Sequence, residues 1–335
     1  MKTPPFLSLG STICLIAPSF GVSIEPYFSR LEQSIRNFTR LGYQVKVGPN
    51  VYLSDDPVAS TAPELRAKEF NDAYLEGGSD LLLSVGGGEV MDEILPYVDF
   101  EAIKSADPKW FMGFSDNTNL AFLLPILSGV KAIYGPNAPS FYERRQRLNQ
   151  LDALNLLSGA SFVRGYPKWS FGSSKDDPPL KRVAYRRPSI LETRRYDGER
   201  EGTLIGGCLD CIVGLVGTRF DRFREFAAEN GKLILFLECC DLTPLGFRRA
   251  LFQLREAGYL DNVSLLLFGR PLHYGETAFG MGFAEMAEQV IGGLGIPTVY
   301  DCPLGHLPPS MPFIEGARAK VGIDEEGIYV RYLAE

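Results

Sequence analysis

A serine lies at an abrupt junction between an apolar segment and a polar one. The string WFMGFSDNTNL, residues 110–120, runs from an apolar strand through Ser115 into a helix predicted over Asn117 to Leu127. This layout presents the Ser115 hydroxyl at a helix N-terminus, as in the nucleophile elbow of serine hydrolases. Asn117 stands where the G-x-S-x-G pattern has its second glycine. The string also suits a plain helix N-cap, because Ser, Asp and Asn are favoured caps.

Three glycines follow another predicted strand. Gly86, Gly87 and Gly88 come directly after the strand Leu81 to Val85, at the edge where an open parallel sheet forms its ligand crevice. Backbone N–H groups in such a loop could turn toward a substrate oxygen. Gly87 and Gly88, together with the N–H of Asp116, are therefore candidates for an oxyanion hole. A tight turn that merely requires glycine explains the same run.

A serine nucleophile needs a base, and the chain contains only two histidines. His306 lies in the Gly/Pro loop PLGHLPP, and His273 lies just past a strand in FGRPLH. A histidine in an irregular loop is hard to explain as core packing, which favours a chemical role for one of them. Glu238 ends the apolar strand KLILFL, where its carboxylate needs a donor such as a histidine N–H. An exposed carboxylate at a strand end is the alternative for Glu238.

The six cysteines are too few for a disulfide scaffold in a chain of 335 residues. Cys208 and Cys211 have the C-x-x-C spacing of a zinc knuckle, and Cys239 and Cys240 could supply two more ligands. Both pairs lie inside apolar segments rather than in loops. We therefore interpret them as buried free thiols and predict no metal and no other cofactor.

Composition and charge exclude several classes of protein. Apolar residues make up 45% and charged residues 22%, which excludes disordered, collagen-like and coiled-coil chains. The 34 basic and 41 acidic side chains give a net charge of -7, so nucleic acid is not an expected partner. The sequence has neither the apolar run of about 18 residues that a membrane span needs nor the continuous apolar segment of a signal peptide. We expect a cytoplasmic protein.

Two α/β regions must position these residues. Up to residue 160, apolar strands alternate with amphipathic helices such as Tyr27 to Leu41, which predicts a parallel sheet covered on both faces. Over residues 161–201, Pro, Gly, Ser and charges replace the helical periodicity and indicate a boundary or linker region. For residues 202–335 we predict a second, mixed α/β domain that begins with a buried helix over Thr203 to Thr218.

Several strings taken together resemble the LD-carboxypeptidases, a family that includes muramoyltetrapeptide carboxypeptidases and microcin C self-immunity peptidases. They are ICLIAPS, VGGGEVMDEILPYVDF, GFSDNT, YGPN, GTLIGGCLD, LILFLE and PLGH, and they span nearly the whole chain. The resemblance implies a metal-free, cytoplasmic, usually dimeric serine peptidase with its active site in the cleft between two α/β domains. It implies Ser115 as the nucleophile, Glu238 as the orienting acid and His306 as the base.

The resemblance implies two alternative reactions on a small peptide substrate. Murein-recycling members release the terminal D-alanine of a tetrapeptide at an L-to-D peptide bond, and we expect this reaction here. Immunity members cut a peptidyl-nucleotide amide or an acyl-sulfamate, and an aromatic side chain stacks on the base. Trp169 could be such an aromatic or a domain-packing residue, and Arg270 is a further candidate for substrate binding.

Two departures from the family pattern concern the substrate pocket. Cys208 stands where many members have Asn in Gly-Gly-Asn-Leu, and Cys239 stands where many have an acid. A binding module that holds a sugar or nucleotide without catalysis is the competing function. The presence of Ser115, Glu238 and His306 argues against such a loss of catalysis.

Overall fold

The computed structural model describes residues 1–174 and 176–334. Lys175, in the predicted linker, and Glu335, in the predicted second domain, lie outside the described residues. The strands are β1 (Thr12–Ile16), β2 (Gln44–Val47), β3 (Leu81–Ser84), β4 (Trp110–Gly113), β5 (Ala132–Tyr134), β6 (Phe162–Arg164), β7 (Lys168–Trp169), β8 (Arg187–Pro188), β9 (Glu192–Arg194), β10 (Arg200–Cys208), β11 (Leu233–Glu238), β12 (Val263–Gly269), β13 (Thr298–Cys302), β14 (Phe313–Glu315), β15 (Arg318–Asp324) and β16 (Gly327–Tyr332). The α-helices are α1 (Tyr27–Arg40), α2 (Pro63–Leu75), α3 (Phe100–Ser105), α4 (Thr118–Ala121), α5 (Leu148–Leu157), α6 (Leu209–Leu215), α7 (Phe223–Glu229), α8 (Pro244–Glu256) and α9 (Phe283–Ile291).

The contacts within the chain divide it into two units. Unit 1 comprises Met1–Ala160, Ser173–Val183 and Pro312–Ile314, and unit 2 comprises Ser161–Gly172, Ala184–Met311 and Glu315–Glu335. Residues of the predicted boundary region 161–201 therefore contribute to both units.

Unit 1 is built on a sheet whose described strands follow the order β14-β5-β4-β3-β1-β2. The pairs from β2 through β1, β3 and β4 to β5 are all parallel. Strands β3 and β4 are buried along their whole length, which matches their continuous apolar sequence. Because parallel strands end at the same edge, the segments that follow β1, β3 and β4 are neighbours. These segments carry Ser19, the Gly86–Gly88 loop and Ser115.

Unit 2 is built on a mixed sheet, with the order β6-β16-β15-β10-β11-β12-β13-β9 among the described strands. Strands β10 to β13 are parallel, and antiparallel pairs flank them on both sides. The predicted α/β class, with a parallel first sheet and a mixed second one, is confirmed. Glu238 is the last residue of β11, and His306 lies in the segment that follows β13.

The prediction of a helix over Thr203 to Thr218 is wrong. The segment begins as β10, and only its second half forms the helix α6. A Cβ added to Gly206 would lie 1.8 Å from the Phe236 carbonyl oxygen, so the glycine allows close parallel pairing with β11. An uninterrupted apolar run fits a buried strand as well as a buried helix, because neither shows a polar period.

The helix predicted over Asn117 to Leu127 is interrupted. A 3₁₀ turn over Ser115–Asn117 leads into α4, and a π-helical turn follows over Leu124–Ser128. Pro125 lies in that last turn and has no N–H for an α-helical hydrogen bond. The helical segment after Ser115 is therefore short.

Candidate active site

Ser115 has a strained backbone conformation directly after β4. Its φ angle is +66°, in the left-handed region that residues other than glycine rarely adopt. Its N–H donates to the Tyr134 hydroxyl at 3.1 Å, and its carbonyl accepts from the Thr118 hydroxyl at 2.7 Å. A strained serine between a strand and a helical turn is the geometry of a nucleophile elbow.

Asn117 explains why the elbow lacks the second glycine of G-x-S-x-G. Its Nδ2 donates to the Gly86 carbonyl at 2.8 Å and to the Phe114 carbonyl at 3.0 Å. A Cβ added to Gly113 would lie 2.7 Å from the Asn117 side chain, so the first glycine makes room for it. The side chain of Asn117 thus joins the elbow to the glycine loop, which a glycine at this position would not do.

Two of the predicted oxyanion-hole residues, Gly87 and Asp116, lie beside Ser115, and Gly88 lies next to Ser19 and the Asp116 carboxylate. A Cβ added to Gly87 would lie 3.1 Å from the Ser115 Oγ and 3.9 Å from the Asp116 backbone nitrogen. Gly88 has a φ of +159°, and an added Cβ would lie 2.1 Å from the Ser19 hydroxyl oxygen. A side chain at position 87 would therefore crowd Ser115, and glycine leaves the space beside it open.

The carboxylate of Asp116 is buried among donors. It accepts from the Ser19 hydroxyl at 2.5 Å, the Met91 N–H at 3.0 Å and the Asn119 amide at 3.1 Å. Burial raises the pKa of Asp116 to about 6, although the hydrogen bonds from Ser19 and Met91 act in the opposite direction. Asp116 is therefore ionised at neutral pH.

Unit 2 brings the predicted acid and base together. His306 Nδ1 lies 2.8 Å from Glu238 Oε2, and the Glu238 side chain is fully buried while 15% of the His306 side chain is exposed. A buried carboxylate is costly unless a donor meets it, and the imidazole N–H meets that need. The exposed strand-end alternative for Glu238 is wrong.

Two glycines allow this pair to form although β12 separates β11 from β13. A Cβ added to Gly269, the last residue of β12, would lie 2.5 Å from the Leu304 carbonyl oxygen and 2.9 Å from the Glu238 Cβ. Gly305 has a φ of +99°, and an added Cβ would lie 2.8 Å from Glu238 Oε2. The loop after β13 therefore crosses the end of β12 and places His306 against the carboxylate.

The surroundings of His306 favour its protonated form. Burial alone lowers the pKa of His306, but the charge of Glu238 and hydrogen bonds with Cys240 and Glu238 outweigh it. The pKa is thereby raised well above its ordinary value of 6.5. An imidazole held by a carboxylate on one nitrogen, with a raised pKa, can accept a proton on the other and keep it during a reaction.

Comparison with known sequences identifies the family. The sequence model of the LD-carboxypeptidase N-terminal domain matches residues 13–135, and that of the C-terminal domain matches residues 201–321. The chain belongs to the LD-carboxypeptidase family. The first matched range contains Ser115, and the second contains Glu238 and His306.

Related proteins match this chain over almost their whole length. The probable murein peptide carboxypeptidase of Bacillus subtilis is 26% identical to the chain, and the alignment covers 96% of the chain and 92% of the relative. The microcin C7 self-immunity protein MccF of Escherichia coli is 24% identical, and its alignment covers 97% of the chain and 94% of MccF. Among solved structures, an MccF-like protein from Bacillus anthracis has a TM-score of 0.84 at 23% identity and full coverage of both chains. An MccF mutant in complex with adenosine monophosphate also has a TM-score of 0.84, at 23% identity and 99% coverage of both chains.

The second histidine of the chain has a different environment. His273 is 44% exposed, with its Nε2 3.9 Å from Asp241 and its Nδ1 3.6 Å from Glu276. Both distances exceed those of a hydrogen bond, and both acids are exposed. Of the two histidines, His306 is the one with a close, buried carboxylate partner.

Trp169 and Arg270, the two predicted substrate-binding residues, contact each other. Trp169 is 3% exposed, and its indole N–H donates to the Pro188 carbonyl at 3.1 Å. The centroid of its ring lies 5.2 Å from the Arg270 guanidinium and 5.4 Å from the Arg187 guanidinium. Arg270 is 1% exposed and donates to the Ser189 hydroxyl at 2.8 Å. All of these partners of Trp169 and Arg270 belong to unit 2.

Neither a metal site nor a membrane span is found in the described ranges. All six cysteines are free thiols, and residues 1–174 and 176–334 hold no group of three or more His, Cys, Asp or Glu that could bind a metal ion. No helix in those same ranges is long and apolar enough to cross a membrane. Cys211 and Cys240 are only half-buried, which corrects the interpretation of all four central cysteines as buried.

Sequence reasoning missed several residues that support the site. Ser19 and Met91 bind Asp116, Tyr134 binds the Ser115 N–H, and Cys240 contacts His306. Cys240 follows Glu238 by two residues, and that spacing is a signal of proximity. Ser19, Met91 and Tyr134 lie in strings that carry the family resemblance, but the sequence does not show their contacts, because these depend on the order of strands in the sheet.

Proposed function

We propose that this LD-carboxypeptidase is a serine peptidase that releases the terminal D-alanine from murein tetrapeptides during cell-wall recycling. Ser115 of unit 1 is the nucleophile, and the Glu238–His306 pair of unit 2 completes the triad. The observation that carries the proposal is the 2.8 Å contact between His306 and a fully buried Glu238. In support, a buried carboxylate that orients a histidine in an irregular loop is typical of catalytic sites.

The proposed reaction proceeds in two steps. The Ser115 Oγ attacks the scissile carbonyl carbon while His306 Nε2 takes the hydroxyl proton, and His306 then gives this proton to the leaving D-alanine amine. Glu238 stabilises the imidazolium that forms in between. Water then attacks the acyl-enzyme with His306 again as the base, which releases the shortened peptide and restores the serine.

The negative charge on the substrate oxygen needs donors close to Ser115. We propose that the N–H groups of Asp116 and of Gly87 or Gly88 supply them. In support, the backbone of Gly87 and the Asp116 nitrogen lie next to the Ser115 side chain. These donors stabilise the tetrahedral intermediate more than the planar substrate carbonyl, which is the basis of the rate enhancement.

A peptidyl-nucleotide amide is the second candidate substrate, because one solved MccF structure contains aspartyl sulfamoyl adenosine and another contains adenosine monophosphate. The environment of Trp169 argues against it in this chain. Base stacking needs an open ring face, whereas Trp169 is 3% exposed and has two guanidinium groups over its ring. We therefore favour the murein peptide.

Turnover of the two substrates tests this choice. We expect kcat/KM for a murein tetrapeptide with terminal D-alanine to exceed that for aspartyl sulfamoyl adenosine by about 100-fold or more. Product release is measured by mass spectrometry, with the tetrapeptide ending in L-alanine as the control for L-to-D specificity. A higher kcat/KM for the sulfamoyl adenosine would contradict the murein proposal, and equal rates for the two alanine epimers would contradict the L-to-D specificity.

The pH profile tests the role of Glu238. A general base must be neutral, so kcat/KM should rise with pH through the raised pKa of His306, above 6.5. Glu238→Gln removes the largest of the effects that raise the His306 pKa, while burial continues to lower it, so the rising limb of the pH profile should move to lower pH. The maximal kcat should fall about 10⁴-fold with little change in KM, because glutamine orients the imidazole poorly.

Glu276→Gln is the matched control, since it removes a carboxylate beside the other histidine. Glu276→Gln should leave both kcat and the pH at which kcat/KM rises unchanged. A Glu238→Gln profile with an unmoved limb would exclude Glu238 as the partner that sets the His306 pKa.

We also infer a cytoplasmic homodimer, which the resemblance to the family implies. Sedimentation of the full chain should give about twice the mass of 37.1 kDa, and a sedimenting monomer that retains full activity would contradict the dimer.

A further inference from the structure

The contacts of Asp116 and Arg66 point to a function for two buried charges that the proposed reaction does not use. We propose that the Asp116 carboxylate and the Arg66 guanidinium form a clamp that fixes the glycine loop against Ser115. In this proposal the side chain of Asp116 is a positioning residue for the oxyanion hole, separate from the role of its own N–H. The inference rests on the proposed serine peptidase function, because the clamp matters for catalysis only if charge develops beside Ser115.

Asp116 holds three separate segments together. Its carboxylate accepts from Ser19 in the segment after β1, from the Met91 N–H after the glycine loop, and from Asn119 in its own helical segment. Ser19 lies 97 residues and Met91 lies 25 residues from Asp116 in sequence. A residue needed only to cap its own short helix would not require these distant donors.

Arg66 joins two of the same segments from α2. Its guanidinium donates to the Pro18 carbonyl at 3.2 Å and to the Val90 carbonyl at 3.3 Å, and it pairs with Glu93 at 3.0 Å. Arg66 is fully buried, and its Nη1 and Nη2 groups make these bonds, whereas its Nε has no hydrogen-bond partner among the described residues. The Val90 carbonyl and the Met91 N–H belong to one peptide group, so Arg66 and Asp116 bind its two ends. Pro18 directly precedes Ser19, whose hydroxyl binds Asp116.

The segments that the clamp holds also include the glycine loop. The Phe20 N–H donates to the Gly87 carbonyl at 3.0 Å, so fixing Ser19 also fixes the peptide that faces Ser115. Oxyanion donors act by being held in place before charge develops, and a small displacement weakens the transition state more than the substrate complex. The clamp should therefore affect kcat and leave KM nearly unchanged.

Graded substitution of Asp116 tests the clamp. Asp116→Ala removes all three hydrogen bonds and should lower kcat about 100-fold, whereas Asp116→Asn keeps part of them and should lower kcat about 10-fold. KM should stay within about 2-fold in both variants. The affinity of a peptide boronate, which forms a tetrahedral anionic adduct with a serine, should fall by the same factor as kcat.

Asp92→Asn is the matched control, because Asp92 is an exposed acid that directly follows Met91 and makes none of the three bonds. It should change kcat by less than about 2-fold. A kcat loss in Asp92→Asn equal to that in Asp116→Asn would overturn the clamp in favour of a general charge effect. Unchanged kcat and boronate affinity in Asp116→Ala would overturn it outright.

Amide hydrogen exchange tests the clamp without any substrate. The peptide that contains Met91 should exchange faster in Asp116→Asn than in wild-type protein, and it should be unchanged in Asp92→Asn. If the Met91 peptide exchanges faster in Asp116→Asn but the wild-type protein hydrolyses no peptide, the clamp is supported and the proposed function is contradicted. Unchanged exchange in an active protein would overturn the clamp and leave the proposed function intact.

Discussion

Ser115→Ala should lower kcat on the order of 10⁴-fold or more and leave the fold intact. The substitution removes only the hydroxyl that we propose attacks the substrate. It keeps the backbone N–H that binds Tyr134 and the carbonyl that binds Thr118. Turnover of the murein tetrapeptide measures the loss, and thermal unfolding measures the fold.

Ser105→Ala is the control, since Ser105 is an exposed serine at the end of α3. It should retain full activity. A fluorophosphonate should label wild-type protein at Ser115 and fail to label Ser115→Ala at that position, and a chelator should change neither labelling nor turnover. Near-wild-type hydrolysis by Ser115→Ala would remove Ser115 as the nucleophile.

The backbone strain at Ser115 adds a second measurement. Its φ of +66° is costly for any residue with a Cβ and costs glycine little. Ser115→Gly should therefore be as inactive as Ser115→Ala but more stable toward unfolding by about 1 kcal/mol. Stability equal to that of the alanine variant would show that the surrounding hydrogen bonds, rather than φ, determine the energy of this turn.

Local periodicity was sufficient to predict many elements. The helix predicted over Tyr27 to Leu41 is α1, which ends at Arg40. Its apolar residues Leu31 and Phe38 recur at helical spacing and are buried, and this signal lies within a few turns of chain. The segment from Thr203 has no such stripe, because β10 is buried on both faces, and its strand could not be predicted by this means.

The site was predictable where the position of a residue in the sequence shows that it requires a partner. A charged Glu238 at the end of an apolar strand requires a donor, and the structure supplies His306. The partners of Asp116 carry no such sign. Ser19 and Met91 reach it because β1, β3 and β4 are neighbours in a parallel sheet, and strand order is a property of the folded chain.

His306→Ala should be as inactive as Ser115→Ala, whereas His273→Ala should retain kcat within about 10-fold. Only His306 has a carboxylate within hydrogen-bond distance to orient it and to stabilise the protonated ring. His273 is exposed and lies 3.6 Å or more from its two acidic neighbours. Steady-state kinetics on the murein tetrapeptide compare the two variants, and any loss in His273→Ala should be in KM.

The alanine variant alone would leave Glu238 buried without its partner, and an unpaired buried carboxylate destabilises the fold. His306→Asn separates this loss of stability from the loss of the base, because its amide N–H can donate to Glu238 but cannot take a proton from Ser115. We expect His306→Asn to unfold at a higher temperature than His306→Ala and to be equally inactive. An active His306→Asn, or an inactive His273→Ala with unchanged KM, would move the base away from His306.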